Sequence, residues 1–404
     1  MPRVLLILPT TSYRAGDFIE AAERLGVDLS IASEEDLPLS GTDHFIKIDC
    51  TNEEAATEAV VAMATETPID AVVPVDDAGV VIASRAAERL GLPHNPTDAA
   101  RATRNKESLR KSLARSEVPQ PRFRLLTPGD DPHALGAEVG YPLVIKPLGL
   151  AGSRGVIKVE SPAELEATVD RVRNINRRAG EPGDQPLLLE SFQPGPEIAV
   201  EGMLWQGSLE VLAIFDKPDP LDGPYFEETI FVTPSRHPAP VLEDATRVTQ
   251  LATGAIGLRE GPIHAELRLT DGRPHVIEVA ARSIGGVCGR ALSFGLLDTP
   301  LEVLILRHAL GLRQPGLRRR PWASGVMMLP IPRSGTFRGM RGVDDASGVA
   351  GITAIDITTP IGTRIDTVPD ADRYLGFVFA RGDRPEMVES ALRQAHRRLL
   401  PLIG

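Results

Sequence analysis

Apolar and polar positions along the chain alternate between two periods, and the alternation itself predicts the first architecture. Short apolar runs at Val4–Leu8, Leu29–Ile31 and Ala71–Val75 read as strands. Between and after them, Asp17–Leu25, Glu53–Thr65 and Val80–Leu90 carry apolar residues at helical spacing. Strands separated by amphipathic helices predict parallel βα units, a Rossmann-like layout over residues 1–105. The turn after the first strand, "LPTTSYRAGD", has no G-x-G-x-x-G, so a dinucleotide is not expected there. Asp76 and Asp77 end the third run, where helix capping is the expected role.

Beyond residue 105 the pattern changes. "NKESLRKSLARSEVPQPRF" predicts a helix ended at Val118 by Pro119 and Pro121. "LVIKPLGLAGSRGVIKV" (143–159) predicts two strands joined by a glycine-punctuated loop, followed by a helix near Pro162–Arg177. Further helices are expected at Pro300–Leu312 and Pro385–Leu400. Three regions result, 1–105, 106–300 and 301–404, the second with a hinge near 186–192.

At 404 residues the chain suits several structural units, and 25% charged with 42% hydrophobic residues is the mix of a soluble globular protein. No apolar run approaches a membrane span, and the apolar start is short for a secretion signal. A cytoplasmic location is therefore expected. Two cysteines, Cys50 and Cys288, form no visible framework, and a net charge of −11 argues against nucleic acid or anionic membrane as partners. The run Arg318–Arg320 reads as a solvated loop between regions.

Candidate chemistry begins at Lys146. The lysine precedes the glycines, and the loop joins two strands, so this is not a P-loop. A flap over an anion, with Lys146 aimed from a fixed strand, and a hairpin with a flexible tip both account for the pattern. A second pair tips the balance. In "GPIHAELRLTDGRPHVIEVAARSIGG", a two-residue turn at Asp271-Gly272 would pair Glu266 with Ile277, whereas a three-residue loop would set Glu266 opposite Glu278. Opposed carboxylates need a compensating cation, for which Mg²⁺ is suited, and Arg282 follows on the same face as Glu278. An exposed hairpin face neutralised by Arg268 and Arg282 is the alternative. His264, on the face of Glu266, could orient a metal ligand or accept a proton. Glu190 ends another apolar run and Glu197 follows seven residues later.

Taken together, Lys106 in "RNKESLRKSLARSEVPQPRF", Lys146 with "GLAGSRG", Glu190 and Glu197 in "ESFQPGPEIAVEG", and Glu266 with "IEVAAR" resemble the ATP-grasp superfamily. The resemblance implies an α/β chain, α+β in its central part, with an N-terminal Rossmann-like parallel-sheet domain, an ATP-grasp domain and a small C-terminal α+β domain. It further implies that Lys106 and Lys146 contact ATP phosphates under a loop containing Gly152, Ser153, Arg154 and Gly155. Glu190, Ser191 and Phe192 would hold adenine, and Glu197 would hold ribose. Glu266 and Glu278 would hold Mg²⁺, with Mn²⁺ as a substitute, and Arg282, Lys146 and His264 would act at the reacting groups. Where the family often has asparagine, two places after the second acid, this chain has Ala280.

The loop "FDKPDPLDGPYFEETIFVTPSRHPAP" and the C-terminal region resemble L-amino acid ligases, which implies small-molecule carboxylate and amine substrates, met by Glu228, Phe231, Arg236 and Arg282. His237 in that loop is a further proton-transfer candidate. Phe231 stands near the place of a histidine in dipeptide-forming members. The expected activity is carboxylate–amine ligation through an acyl phosphate, releasing ADP. A biotin-carboxylase-like enzyme and a nucleotide-binding regulator without turnover are the alternatives, and assembly as a homodimer is left open.

Overall fold

The computed structural model describes residues 1–10, 12–35, 44–293, 297–312 and 318–404. The N-terminal unit contains β1 (Arg3–Ile7), α1 (Ala15–Leu25), β2 (Asp28–Ser33), β3 (His44–Lys47), α2 (Glu53–Glu66), β4 (Ala71–Pro74) and α3 (Val80–Leu90). Its four strands are parallel, in the order β3-β2-β1-β4, as the alternation of apolar runs and amphipathic helices requires. Helices α4 (Thr97–Arg104) and α5 (Lys106–Arg115) lead out of it, and the Asn105 side chain caps α5 by accepting from the Ser108 N–H.

A small unit follows, made of β5 (Phe123–Leu126), α6 (Pro132–Val139), β6 (Leu143–Pro147), β7 (Ile157–Val159), α7 (Pro162–Arg178) and β8 (Leu187–Ser191). Its strands form a separate sheet, β5-β8-β6-β7, over a core of its own that includes Leu143, Ile145, Leu165, Val169, Val172 and Leu189.

The central elements are β9 (Glu197–Trp205), β10 (Ser208–Lys217), β11 (Ile230–Thr233), α8 (Ala239–Ile256), β12 (Gly261–Thr270) and β13 (Arg273–Ala280). After them come α9 (Leu301–Ala309), β14 (Ala323–Met328), β15 (Gly335–Arg341), α10 (Val343–Ser347), β16 (Ile352–Asp356), β17 (Arg364–Ile365), β18 (Phe377–Gly382), α11 (Pro385–His396) and β19 (Leu400–Ile403). One eight-stranded sheet, β13-β12-β9-β10-β11-β14-β18-β16, runs through both groups, because β14 pairs with β11 along Ile230–Thr233. The remaining strands form β17-β15-β19.

The final helix stops at His396 rather than Leu400: Pro401 cannot continue a helix, and Leu400–Ile403 pairs with β15 instead. Likewise α5 ends at Arg115, three residues before Val118. Among the described residues no helix is long and apolar enough to cross a membrane.

Candidate active site

A cleft of about 650 Å³ opens between the small sheet and the central sheet, lined by Lys106, Lys146, Ser153, Glu190, Ser191, Phe192, Glu197, Glu228, Glu266 and Glu278, among others. Two of its walls are strand surfaces, which fixes the direction of each side chain by alternation. Lys146 projects from β6, is buried, and its Nζ lies 2.7 Å from Glu190 Oε2 on the neighbouring strand β8. Arg110 on α5 donates its Nε to the other oxygen of Glu190, 2.5 Å away, and its two terminal nitrogens to the carbonyls of Val276 and Ile277 on β13. Burial disfavours the Glu190 carboxylate, but Arg110 and Lys146 outweigh it and hold its pKa at about 2. Glu190 thus ties the small unit to the central sheet, while its backbone lies in the β5-β8-β6 ladder.

Between Pro147 and Val156 the chain turns over this lysine, with Gly152, Ser153 and Gly155 at φ of +63°, +56° and +73°. At Gly155 a Cβ would also come within 3.2 Å of Pro147 Cγ, so a side chain there is disfavoured on both counts. Lys106 is the first residue of α5. Its N–H donates to Leu148 O at 3.1 Å and its Nζ to Leu150 O at 2.7 Å, and the same Nζ lies 3.8 Å from Glu278.

The opposite wall holds a charge cluster. Glu266 does stand opposite Glu278, but not by the route of a three-residue loop. Asp271 and Gly272 form a two-residue turn with φ of +50° and +74°, closed by the Thr270–Arg273 pair, and a bulge at Ile277 then restores the two acids to one face. Arg268 is buried, bound to Glu197 and to the carbonyls of Gly195 and Leu221, so this hairpin is not an exposed face.

The two acids nevertheless part company. Glu266 turns toward Lys217, the last residue of β10, whose Nζ lies 2.6 Å from Glu197 and 3.2 Å from Glu266 and also binds Glu228. Burial works against this ammonium, yet the three carboxylates raise its pKa well above the ordinary lysine value. Glu266 is correspondingly held well below its ordinary value, by Lys217 and His264 against the cost of burial. Glu228 is pushed up to about 8 by burial and by the neighbouring Glu266. His264 bridges Glu201 (3.0 Å from Nδ1) and Glu266 (3.4 Å from Nε2); the two acids overcome burial and raise it to about 9. Ligand oxygens of Glu197, Glu228 and Glu266 lie within 4.8 Å of one another, a set of hard donors suited to Mg²⁺. Lys217 already sits among that set, with Arg268 on Glu197 and His264 on Glu266, and Glu278 faces Lys106, so a divalent ion on Glu266 and Glu278 would have to compete with both ammoniums.

Three family models match the chain: an ATP-grasp N-terminal domain over residues 19–94, an ATP-grasp domain over residues 139–291, and an L-amino acid ligase C-terminal domain over residues 327–401. This is an ATP-grasp protein. The solved L-amino acid ligase from Bacillus licheniformis superposes on the ATP-grasp chain with a TM-score of 0.84 at 26% identity, covering 100% of this chain and 99% of that one. Protein y4rH of Sinorhizobium fredii is 24% identical over 407 residues, 98% of this chain and 82% of its own length. The alanine–anticapsin ligase of Bacillus subtilis is 28% identical over 250 residues, 58% of this chain and 52% of its own.

Not every expected residue of the ATP-grasp chain reaches the cleft. Asp216 and Lys217 are consecutive on β10 and point to opposite faces. Arg236 binds Asp216 and Glu389 of α11, and His237 lies 4.0 Å from Asp216, so both belong to the face away from Lys217. Phe231 is buried in the core with its ring 5.0 Å from Lys217 Nζ. Arg282 donates to Asp77 at 2.7 Å, and Arg104 lies 3.2 Å from the same carboxyl group; Asp77 is an ion-pair partner, not a helix cap. Burial opposes the Asp77 charge, and the two guanidiniums still hold its pKa at about 2. Lys217 and Arg110 were not anticipated as participants, and Arg268 only as a partner on an exposed hairpin face. The signal for Lys217 lay in "VLAIFDKPDP", an Asp-Lys pair following an apolar run, similar to the feature that singled out Glu190.

Proposed function

We propose that this chain is an ATP-dependent carboxylate–amine ligase that activates a carboxylate as an acyl phosphate and joins it to an amine, releasing ADP and phosphate. The observation that supports it is the cleft itself, with Lys106 and Lys146 on one wall and the Glu197, Glu228, Glu266 and Lys217 cluster on the other. A triphosphate between them would meet ammonium groups on strand and helix ends whose positions are fixed by Glu190 and Leu150. Adenine would lie against Ser191 and Phe192 and the ribose near Glu197. Glu266 and Glu278 would hold Mg²⁺, which supplies charge neutralisation between phosphates when bound.

A carboxylate is a weak electrophile. Transfer of the γ-phosphoryl group to its oxygen breaks the bond to ADP and creates a good leaving group, and attack by a neutral amine then expels inorganic phosphate as the amine loses a proton. Such transfers need positioning and charge neutralisation more than covalent help. Lys146 orients the phosphates, Arg282 would meet the charge on the transferring group only on leaving Asp77, and the loop 149–155 keeps water from the acyl phosphate. Glu228 lines the cleft and is suited to an ammonium group of the second substrate.

Incubation with Mg-ATP and pooled amino acids, read by phosphate release and mass spectrometry, tests this reading. ADP together with a new amide mass is the expected result. Absence of ADP with every pool overturns it, ADP with bicarbonate alone indicates carboxylation, and AMP contradicts an acyl phosphate.

A further inference from the structure

The small unit has its own core, so something other than shared packing must set how it sits over the cleft. Arg110 and Glu190 hold its base. At its far side it meets a strap from the C-terminal region, residues 366–374. There the Gly155 N–H donates to Pro369 O at 2.9 Å, at the end of the glycine loop. One residue further on, the Asp370 carboxylate receives two guanidiniums from α7, Arg178 at 3.1 Å and Arg171. Asp370 is only 12% exposed while the two arginines reach it from solvent. None of these three side chains lines the cleft.

We propose that Asp370 is a positioning residue: through Arg171 and Arg178 it fastens the small unit to the strap and so holds the loop Gly149–Gly155 down over the nucleotide cleft. The inference rests on the nucleotide reading only for its consequence in binding; the fastening itself is a property of the free protein. A pair of partly exposed ion pairs should bias the closed arrangement about five- to tenfold. Loss of that bias frees the Gly155 N–H and the adjoining β7, where the Lys158 N–H donates to Pro224 O at 2.9 Å.

The test is hydrogen exchange on the full chain, comparing wild type with Asp370→Ala, with Asp370→Glu, and with Arg171→Ala/Arg178→Ala, the last at exposed positions in case the first folds poorly. Release of a fluorescent ATP analogue is followed in parallel. Exchange of residues 155–159 should quicken about five- to tenfold in Asp370→Ala and in the double arginine variant, with β9–β12 unchanged and the melting temperature within about 2 °C of wild type, and Asp370→Glu should restore it. Analogue release should quicken by a similar factor. Unchanged exchange at 155–159, or acceleration spread evenly over the chain, overturns the fastening. A wild type that binds no analogue while exchange still responds to Asp370 keeps the fastening and defeats the nucleotide reading.

Discussion

Replacing Lys217 with methionine removes the cation shared by Glu197, Glu228 and Glu266. Glu197 keeps Arg268 and Glu266 keeps His264, so the loss falls chiefly on Glu228. Removing one partner of a buried ion pair costs about 3–5 kcal/mol; with two of three carboxylates still paired, the low end, about 3 kcal/mol, is expected. For a chain of 404 residues that corresponds to a fall in melting temperature of roughly 3–4 °C. The pH dependence follows from the acids. In wild type Glu266 is held below its ordinary value, so its contribution is present above about 4.5 and is lost as pH falls through its folded value. Glu228 lies at about 8 and takes a proton below that. The gap between the two proteins should therefore close as the pH falls below about 4.5, be nearly full above it, and widen again beyond about 8, where Glu228 must also ionise. Scanning calorimetry at several pH values in that range reads it directly. Equal melting temperatures at pH 8, or a gap widest at the acid end, would refute the reasoning.

Three further outcomes are expected. Lys146→Met should leave the circular dichroism spectrum intact, because Glu190 retains Arg110, while titration calorimetry shows Mg-ATP affinity down by about tenfold or more. His264, raised to about 9 from an ordinary 6.5, contributes stability that is full below about 6.5 and lost as pH rises through 9; His264→Gln should flatten the decline of melting temperature between those values. Arg236→Ala should leave ADP formation within about twofold of wild type, since that guanidinium is spent on Asp216 and Glu389; a large loss of turnover would place it back among the substrate residues.

The N-terminal βα alternation, the strand–loop–strand around Lys146 and the opposition of Glu266 and Glu278 were legible because each is a local pattern of period or turn. Yet the opposition arose from a bulge at Ile277, which no residue type in "RPHVIEVA" announces. Pairings across large sequence separations were invisible. Asp77 looked like a cap because its neighbours are local, whereas Arg282 comes from 205 residues away. Arg110 sits in the helix of Lys106 with nothing in the sequence to set it apart from Lys111 or Arg115, and only the fold brings it to Glu190 and to the carbonyls of β13. Arg236 was assigned to the cleft by its loop, but strand alternation at Asp216–Lys217 decides the face, and alternation needs the register.

The continuous eight-stranded sheet has a consequence for modularity. Residue 300 falls between matches to two families, a natural place to cut or to graft another terminal region. Severing the chain there would strip β11 of β14 and leave its backbone donors and acceptors as an open edge, inviting aggregation. The same strand carries Phe231 against Lys217, so exchange of the C-terminal region would disturb the charge cluster from behind. In inheritance as in engineering, the two regions must change as a matched set.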